Sequence, residues 1–225
     1  MKADLWIVVP AFREETVIGS TLRGLASYLP KIVVVDDGSI DDTALQAVRA
    51  GAHVVRHPIN LGQGAALQTG IEFAIAHGAS HICTFDADGQ HDAGTITTML
   101  ADLERTGADV ALASRFLGSA PSMPRFRRLV LRFAVLVTRV QTRLALTDTH
   151  NGLRLFTRQA AERVHIRQAG MAHGSEILTI ISREKMRVVE TATTVYYTEY
   201  SRAKGQRLSN SFKIALDLMY SALSG

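Results

Sequence analysis

His81-Ile82-Cys83-Thr84-Phe85-Asp86-Ala87-Asp88-Gly89-Gln90-His91 runs from a short strand-forming segment straight into two carboxylates one residue apart, then a glycine and two polar side chains. Residues 92–105 behind it have helical spacing, and residues 109–114 read as the next strand. The same alternation repeats upstream. Residues 5–9 are apolar until Pro10, which is expected to stop the strand, and residues 14–28 follow with Val17, Ile18, Leu22 and Leu25 on one helical side. Residues 31–35 form a β-branched run ended by Asp36-Asp37-Gly38-Ser39, and Asp41 or Asp42 can cap a helix reaching about residue 50. Residues 53–56 are a third strand and 62–77 a third helix. Unbroken apolar strands alternating with helices predict an α/β fold with a mainly parallel sheet flanked by helices. In such sheets ligands collect beyond the carboxyl ends of the strands. The polar clusters at 10–14, 36–39, 86–91 and 114–115 all fall on that one edge.

Beyond Arg115 the alternation stops. Pro121 and Pro124 mark a loop, and residues 125–146 read as one amphipathic helix. At about 100° per residue, Arg125, Arg128, Arg132, Arg139 and Arg143 fall in a stripe of roughly 60°, with Phe126, Val130, Phe133 and Val137 elsewhere on the wheel. A polar turn and short strand (148–156), a loop entering a helix (167–182), a strand (188–197), a charged loop (199–208) and a last helix (209–222) complete the chain. That last helix has Phe212, Leu216, Met219 and Leu223 on one side. With no repeat and no clear linker, the 225 residues are expected to form one domain.

Composition narrows the class. Apolar residues make up 47% and charged residues 20%, which excludes a disordered chain. The net charge of +4 is too small to argue for nucleic acid, but residues 115–143 hold seven arginines and no acid. No nucleic-acid motif accompanies them. The single cysteine, Cys83, excludes a disulfide framework and reads as a buried thiol in a reducing compartment. No signal peptide and no spanning apolar segment is visible, so a soluble or peripheral chain on the cytoplasmic side is expected.

Asp86 and Asp88, on a turn where side chains converge, suit a hard divalent cation, with Gln90 offering a carbonyl oxygen as a further ligand. Such a cation neutralises charge building on a departing diphosphate. A helix cap on a solvated turn is the plainer reading of an isolated Asp-x-Asp. His91 suits positioning or phosphate contact better than ligation of a hard ion. Asp37 at the end of the second strand either meets a base or ribose or merely caps a turn. Asn60-Leu61-Gly62-Gln63-Gly64-Ala65 either presents backbone N–H groups to a phosphate or packs the third helix closely on the sheet. It lacks the marks of a P-loop or a dinucleotide fingerprint.

In order and spacing the chain resembles the family 2 inverting glycosyltransferases with the GT-A (nucleotide-diphospho-sugar transferase) fold. It is most similar to the polyprenyl-phosphate (dolichyl-phosphate) mannose and glucose synthases. The matching segments are residues 9–14, 35–39 with Asp41 and Thr43, 60–65, 86–91, Ser114-Arg115 and 148–154. Phe12 stands where tyrosine is usual and Gln63 where lysine is frequent. The resemblance implies that Pro10, Phe12, Glu14 and Asp37 line the base and ribose pocket. It implies that Asp86, Asp88 and Gln90 carry Mg2+ or Mn2+ and the donor diphosphate, that Ala87 belongs to the nucleotide-sugar site, and that Arg115 faces the donor sugar or phosphate. Arg202 and Lys204 would close over the phosphates, and Glu176 matches the region of an acidic base. Residues 1–115 would be the nucleotide-sugar-binding half and 116–225 the acceptor-side half.

The expectation is therefore a metal-dependent hexosyltransferase passing sugar from a nucleotide diphosphate sugar to polyprenyl phosphate, peripheral at the inner face of the plasma membrane, with a membrane partner protein possible. A hydroxyl acceptor on a glycan would need Glu176 as base, whereas a phosphate oxyanion would not. The alternatives are a non-catalytic sugar-nucleotide subunit, against which the intact acidic pair speaks, and a nucleotidyltransferase, which would want a Gly-rich basic loop after the first strand. Residues 10–14 are not such a loop.

Overall fold

A computed structural model describes residues 4–196 except residues 30, 122, 124, 150 and 171. The expected loop at 199–208, with Arg202 and Lys204, and the expected helix at 209–222 lie outside the described residues. In chain order the elements are β1 (Leu5–Ala11), α1 (Ile18–Gly24), β2 (Ile32–Asp36), α2 (Thr43–Arg49), β3 (His53–Arg56), α3 (Gln63–Ala76) and β4 (His81–Thr84). They continue with α4 (Gly94–Thr106), β5 (Val110–Ser119), α5 (Arg125–Thr142), β6 (Arg154–Thr157), α6 (Arg158–Ala161), α7 (His173–Arg183) and β7 (Val188–Thr194).

The strands form one seven-stranded sheet in the order β3-β2-β1-β4-β6-β5-β7. Strands β1 to β4 are mutually parallel, as are β5 and β7, while β6 runs antiparallel between β4 and β5. The sheet separates two apolar layers. Trp6, Val8, Val33 and Val35 face α3 and α7, and Ile7, Val9, Ile32 and Val34 face the layer of α1 and α4. Residues one apart on β1 thus point to opposite faces and both are buried, which is why the strand reads as an unbroken apolar run.

Pro10 does not stop β1, which continues to Ala11 opposite Asp36. The N–H of Ile7 donates to Lys31 on the β2 side. By alternation the nitrogen of Pro10 faces β4, whose register with β1 ends at Val8–Thr84. Its missing donor therefore falls where no ladder bond is needed. Two further expectations change. The helix read over 14–28 is split into α1 and a 3-10 turn at Ala26–Tyr28. The helix read over 125–146 ends at Thr142, and Arg143 takes a left-handed φ of 58° as the chain turns.

Candidate active site

Beyond the ends of β1, β2 and β4 the predicted polar clusters meet. The turn after β4 is tied at several points. Thr21 on α1 donates its hydroxyl to the Ala87 carbonyl at 2.8 Å, and Tyr196 N–H donates to Gln90 O at 2.9 Å. The His91 ring lies edge-on to Phe85, 5.6 Å between centroids. These ties leave the Asp86 and Asp88 side chains partly exposed above the sheet.

The two carboxylates sit in different electrostatic surroundings. Asp86 receives His91 Nε2 at 2.9 Å and Gln63 Nε2 at 3.3 Å. Burial works against its charge. The hydrogen bond from His91, and the charges of His91, Arg154 and His173, outweigh burial and hold its pKa below the usual carboxylate value. Asp88 forms no ion pair among the described residues, though the His91 charge acts to lower its pKa. Burial first, and the Asp86 charge second, push it up to about 6, even though Gln90 donates to it from both backbone and side chain. A cation beside the pair would favour the ionised form of both carboxylates.

Arg154, a buried cation on β6, is a residue whose importance the sequence did not declare. Burial lowers its pKa, while Asp86 and Asp148 act to raise it. His173, at the start of α7, is likewise lowered by burial and by Arg154. Both belong to the floor under Asp86. Arg154 stood in the matching segment 148–154 without a role, and only the antiparallel placement of β6 beside β4 brings it under the acidic turn. Gly152 completes the floor: a Cβ there would stand 2.2 Å from Asp86 Oδ2, so only glycine leaves room for this carboxylate.

Arg115 and Asp148 form a buried pair. Asp148 Oδ2 accepts from Arg115 Nε at 2.6 Å and from its backbone N–H at 3.1 Å. On the other side of the site, Arg13 is held at φ 56° because its N–H donates to Ser39 Oγ and the N–H of Glu14 donates to Thr43 Oγ1. A non-glycine residue in that region costs about 1 kcal/mol or more. The bend sets the Arg13 guanidinium 5.1 Å over the ring of Phe12, beside buried Pro10 and Glu14.

Asp37 and Glu176 are engaged with backbone. Asp37 accepts from Leu61 N–H at 2.9 Å, Gly62 N–H at 2.8 Å and His57 Nδ1 at 2.7 Å. Glu176 accepts from Arg167 N–H at 3.0 Å and Gln168 N–H at 2.8 Å. The two loops so held pack on each other, with Gly64 N–H donating to Ala169 O at 2.9 Å. Gly62, at φ 99°, lies so close to Ala169 that a side chain would collide with its carbonyl. These loops carry Gln63 to Asp86. His91 Nδ1 and Asn151 Nδ2 are buried without a hydrogen-bond partner among the described residues. Next to Thr147, a cavity of about 340 Å³ is lined by Phe116, Arg132, Val135, Leu136, Arg139 and Thr147.

Residues 6–164 match the model of glycosyl transferase family 2. An uncharacterized protein of Methanocaldococcus jannaschii is 34% identical over 97% of this chain and 92% of its own length. A UDP-N-acetylglucosamine–dolichyl-phosphate N-acetylglucosaminyltransferase of Methanococcus voltae is 27% identical over 96% of this chain and 94% of its own. Among solved structures, glucosyl-3-phosphoglycerate synthase from Mycobacterium tuberculosis superposes with a TM-score of 0.76 at 19% identity, covering 99% of this chain and 80% of that one. That enzyme has also been solved with Mn2+ and UDP-glucose.

Proposed function

Because this chain belongs to glycosyl transferase family 2 and is a glycosyltransferase of GT-A fold, we propose that it transfers a hexose from a nucleotide diphosphate sugar to a polyprenyl phosphate, with inversion and with Mg2+ or Mn2+. The observation that carries the reading is the placement of the Asp86 and Asp88 carboxylates beyond β4, Asp86 held by His91 and Gln63 and Asp88 by Gln90, over a floor of buried Arg154 and His173. Among the described residues no group of three or more acidic, histidine or cysteine side chains forms a full metal cage. Two carboxylates and the Gln90 amide are an incomplete oxygen set, which suits a cation that also takes donor phosphate oxygens. Bound there, the cation would offset the charge left on the nucleoside diphosphate as the sugar departs.

The chain's own groups account for the rest. Phe12, with Arg13 above it, offers an aromatic face for a base, and Pro10 and Glu14 back it. His91 and Gln63 fix the orientation of Asp86. Asp148 holds Arg115 in place beside the site. The acceptor reading is supported by the cavity next to Thr147, whose wall combines two guanidinium groups with Phe116, Val135 and Leu136, fit for a phosphate carrying an apolar chain. A phosphate oxyanion needs no general base. That agrees with Glu176, whose carboxylate is given to the backbone of residues 167 and 168. Here Asp37 and Glu176 act by positioning the loops at 60–64 and 166–170. Among the described residues no helix is long and apolar enough to cross a membrane. For a lipid acceptor the proposed attachment is peripheral, at the cytoplasmic face, alone or with a membrane partner.

The test is a panel of nucleotide sugars in thermal melts with and without Mn2+. One base and sugar should raise the melting temperature only with metal, and Asp88→Asn should keep the fold and lose that increment. Equal stabilisation of Asp88→Asn and the parent by donor plus Mn2+ would remove the metal assignment.

A further inference from the structure

Glu190 stands half-buried on β7, opposite Leu112 of β5. No ion pair among the described residues includes it. Both of its oxygens are spent on one turn instead. Oε1 accepts from the Thr147 N–H at 2.8 Å, the Thr147 hydroxyl at 3.0 Å and the Asp148 N–H at 3.2 Å, and Oε2 accepts from the Thr147 N–H at 2.9 Å. A hydroxyl has a single proton to give. The Thr147 hydroxyl gives its proton to Glu190 and so accepts from Ser114 Oγ at 2.6 Å. Ser114 Oγ accepts in turn from the N–H groups of Phe116 and Leu117, both at 3.3 Å. A directed chain of hydrogen bonds thus starts on the backbone just past Arg115 and ends on a carboxylate of another strand.

We infer that Glu190 is the positioning residue for the Arg115 guanidinium, acting through the 147–148 turn. The Asp148 N–H is held by Glu190, while Asp148 Oδ2 accepts from the Arg115 Nε and N–H. Ser114, Arg115 and Asp148 are all buried. A carboxylate can aim a guanidinium only if its own backbone is fixed, and groups one step behind a site set the orientation of those in it. Thr147 also lines the cavity shared by Arg132 and Arg139. One carboxylate therefore fixes both the guanidinium proposed to face the donor and a wall of the cavity proposed for the acceptor. Reach matters more here than charge. Aspartate at this position keeps the charge but is one methylene too short for the turn. Glutamine keeps the reach, and its carbonyl oxygen can take the three bonds that Oε1 accepts. The kinetic consequence rests on the proposed transfer reaction; the tether itself does not.

The experiment compares Glu190→Ala, Glu190→Asp and Glu190→Gln with the parent in the full-length protein. Amide exchange, followed by mass spectrometry without donor or acceptor, should quicken at residues 114–117 and 147–148 in Glu190→Ala and Glu190→Asp and stay slow in Glu190→Gln. The turn at 86–91 should exchange as in the parent. In transfer from the stabilising nucleotide sugar to polyprenyl phosphate, kcat should fall about 10- to 100-fold for the alanine and aspartate variants, the scale expected when a reacting geometry is misplaced by about 1 Å. Glutamine should restore most of it. The Mn2+-dependent rise in melting temperature with donor should be kept, because Phe12, Asp86 and Asp88 lie on other elements. In an Arg115→Gln background Glu190→Ala should cost less than about twofold more, since residues acting as one unit are not additive. Unchanged exchange at 114–117 in Glu190→Ala, or turnover like the parent's, would overturn the inference. So would loss of the donor-induced melting rise along with turnover, or costs that multiply in the double variant. If the parent moves no sugar to the lipid, the proposed reaction falls, while exchange at 114–117 still decides the tether.

Discussion

At the level of single side chains the two carboxylates of the acidic turn predict opposite acid-base behaviour. Asp88 holds its proton up to about 6, while an unfolded aspartate has lost its own two units lower. Between those values the folded state binds the extra proton, so this group's contribution to stability falls as pH rises through the window. A cation at the site reverses the sign, because it needs Asp88 ionised. The Mn2+-dependent rise in melting temperature, measured with the matching nucleotide sugar, should thus be small at pH 5 and full by pH 7. A rise equal at both values would contradict the environment described for Asp88. Gly152→Ala tests the floor. Its Cβ would stand 2.2 Å from Asp86 Oδ2, so Asp86 must rotate. Mn2+ affinity by titration calorimetry should fall about tenfold or more, with the circular dichroism spectrum unchanged. Asp86, Asp88 and Gln90 were legible because Asp-x-Asp after a strand is a local pattern. Arg154 and His173 were not, because their roles arise only when β6 and α7 are folded beneath that turn.

At the level of elements, the loops at 60–64 and 166–170 are the joint between the proposed donor side and α7. Each hangs from one carboxylate through two consecutive backbone N–H groups. Hydrogen bonds to a charged acceptor are worth about 1.5–3 kcal/mol each, and leaving a donor unpaired costs a similar amount. Asp37→Asn should therefore lower the melting temperature by roughly 3–10 °C. Glu176→Gln should destabilise less, and its kcat should fall by less than tenfold with the shape of the pH profile kept. Loss of the acid limb in that variant would identify Glu176 as a base instead. The alternation of strands and helices up to β5 was plain in the sequence, since buried parallel strands are written as unbroken apolar runs. The direction of β6 was not, because Arg154-Leu155-Phe156-Thr157 reads the same either way. The wheel of α5 gave an arginine stripe with apolar residues elsewhere; the structure buries Leu131, Ala134 and Val135 and leaves Phe126, Leu129 and Phe133 exposed. The wheel shows periodicity and cannot say which apolar side the domain covers.

At the level of the molecule, the sheet order puts the parallel strands β3-β2-β1-β4 under the proposed donor site. The antiparallel β6 and the β5–β7 pair lead from it toward α5 and the cavity beside it. In the proposed reaction donor and acceptor would approach from adjoining sides of one edge, with the Arg115–Asp148 ion pair between them. The most direct measurement is transfer itself: enzyme, Mn2+ and the nucleotide sugar that stabilises it, incubated with polyprenyl phosphate in detergent, with the lipid product analysed by mass and anomeric configuration. A lipid-linked sugar phosphodiester of inverted configuration, formed by the parent and not by Asp88→Asn, is the predicted result. Binding of the donor with no sugar in the lipid, and transfer instead to a sugar hydroxyl, would contradict it.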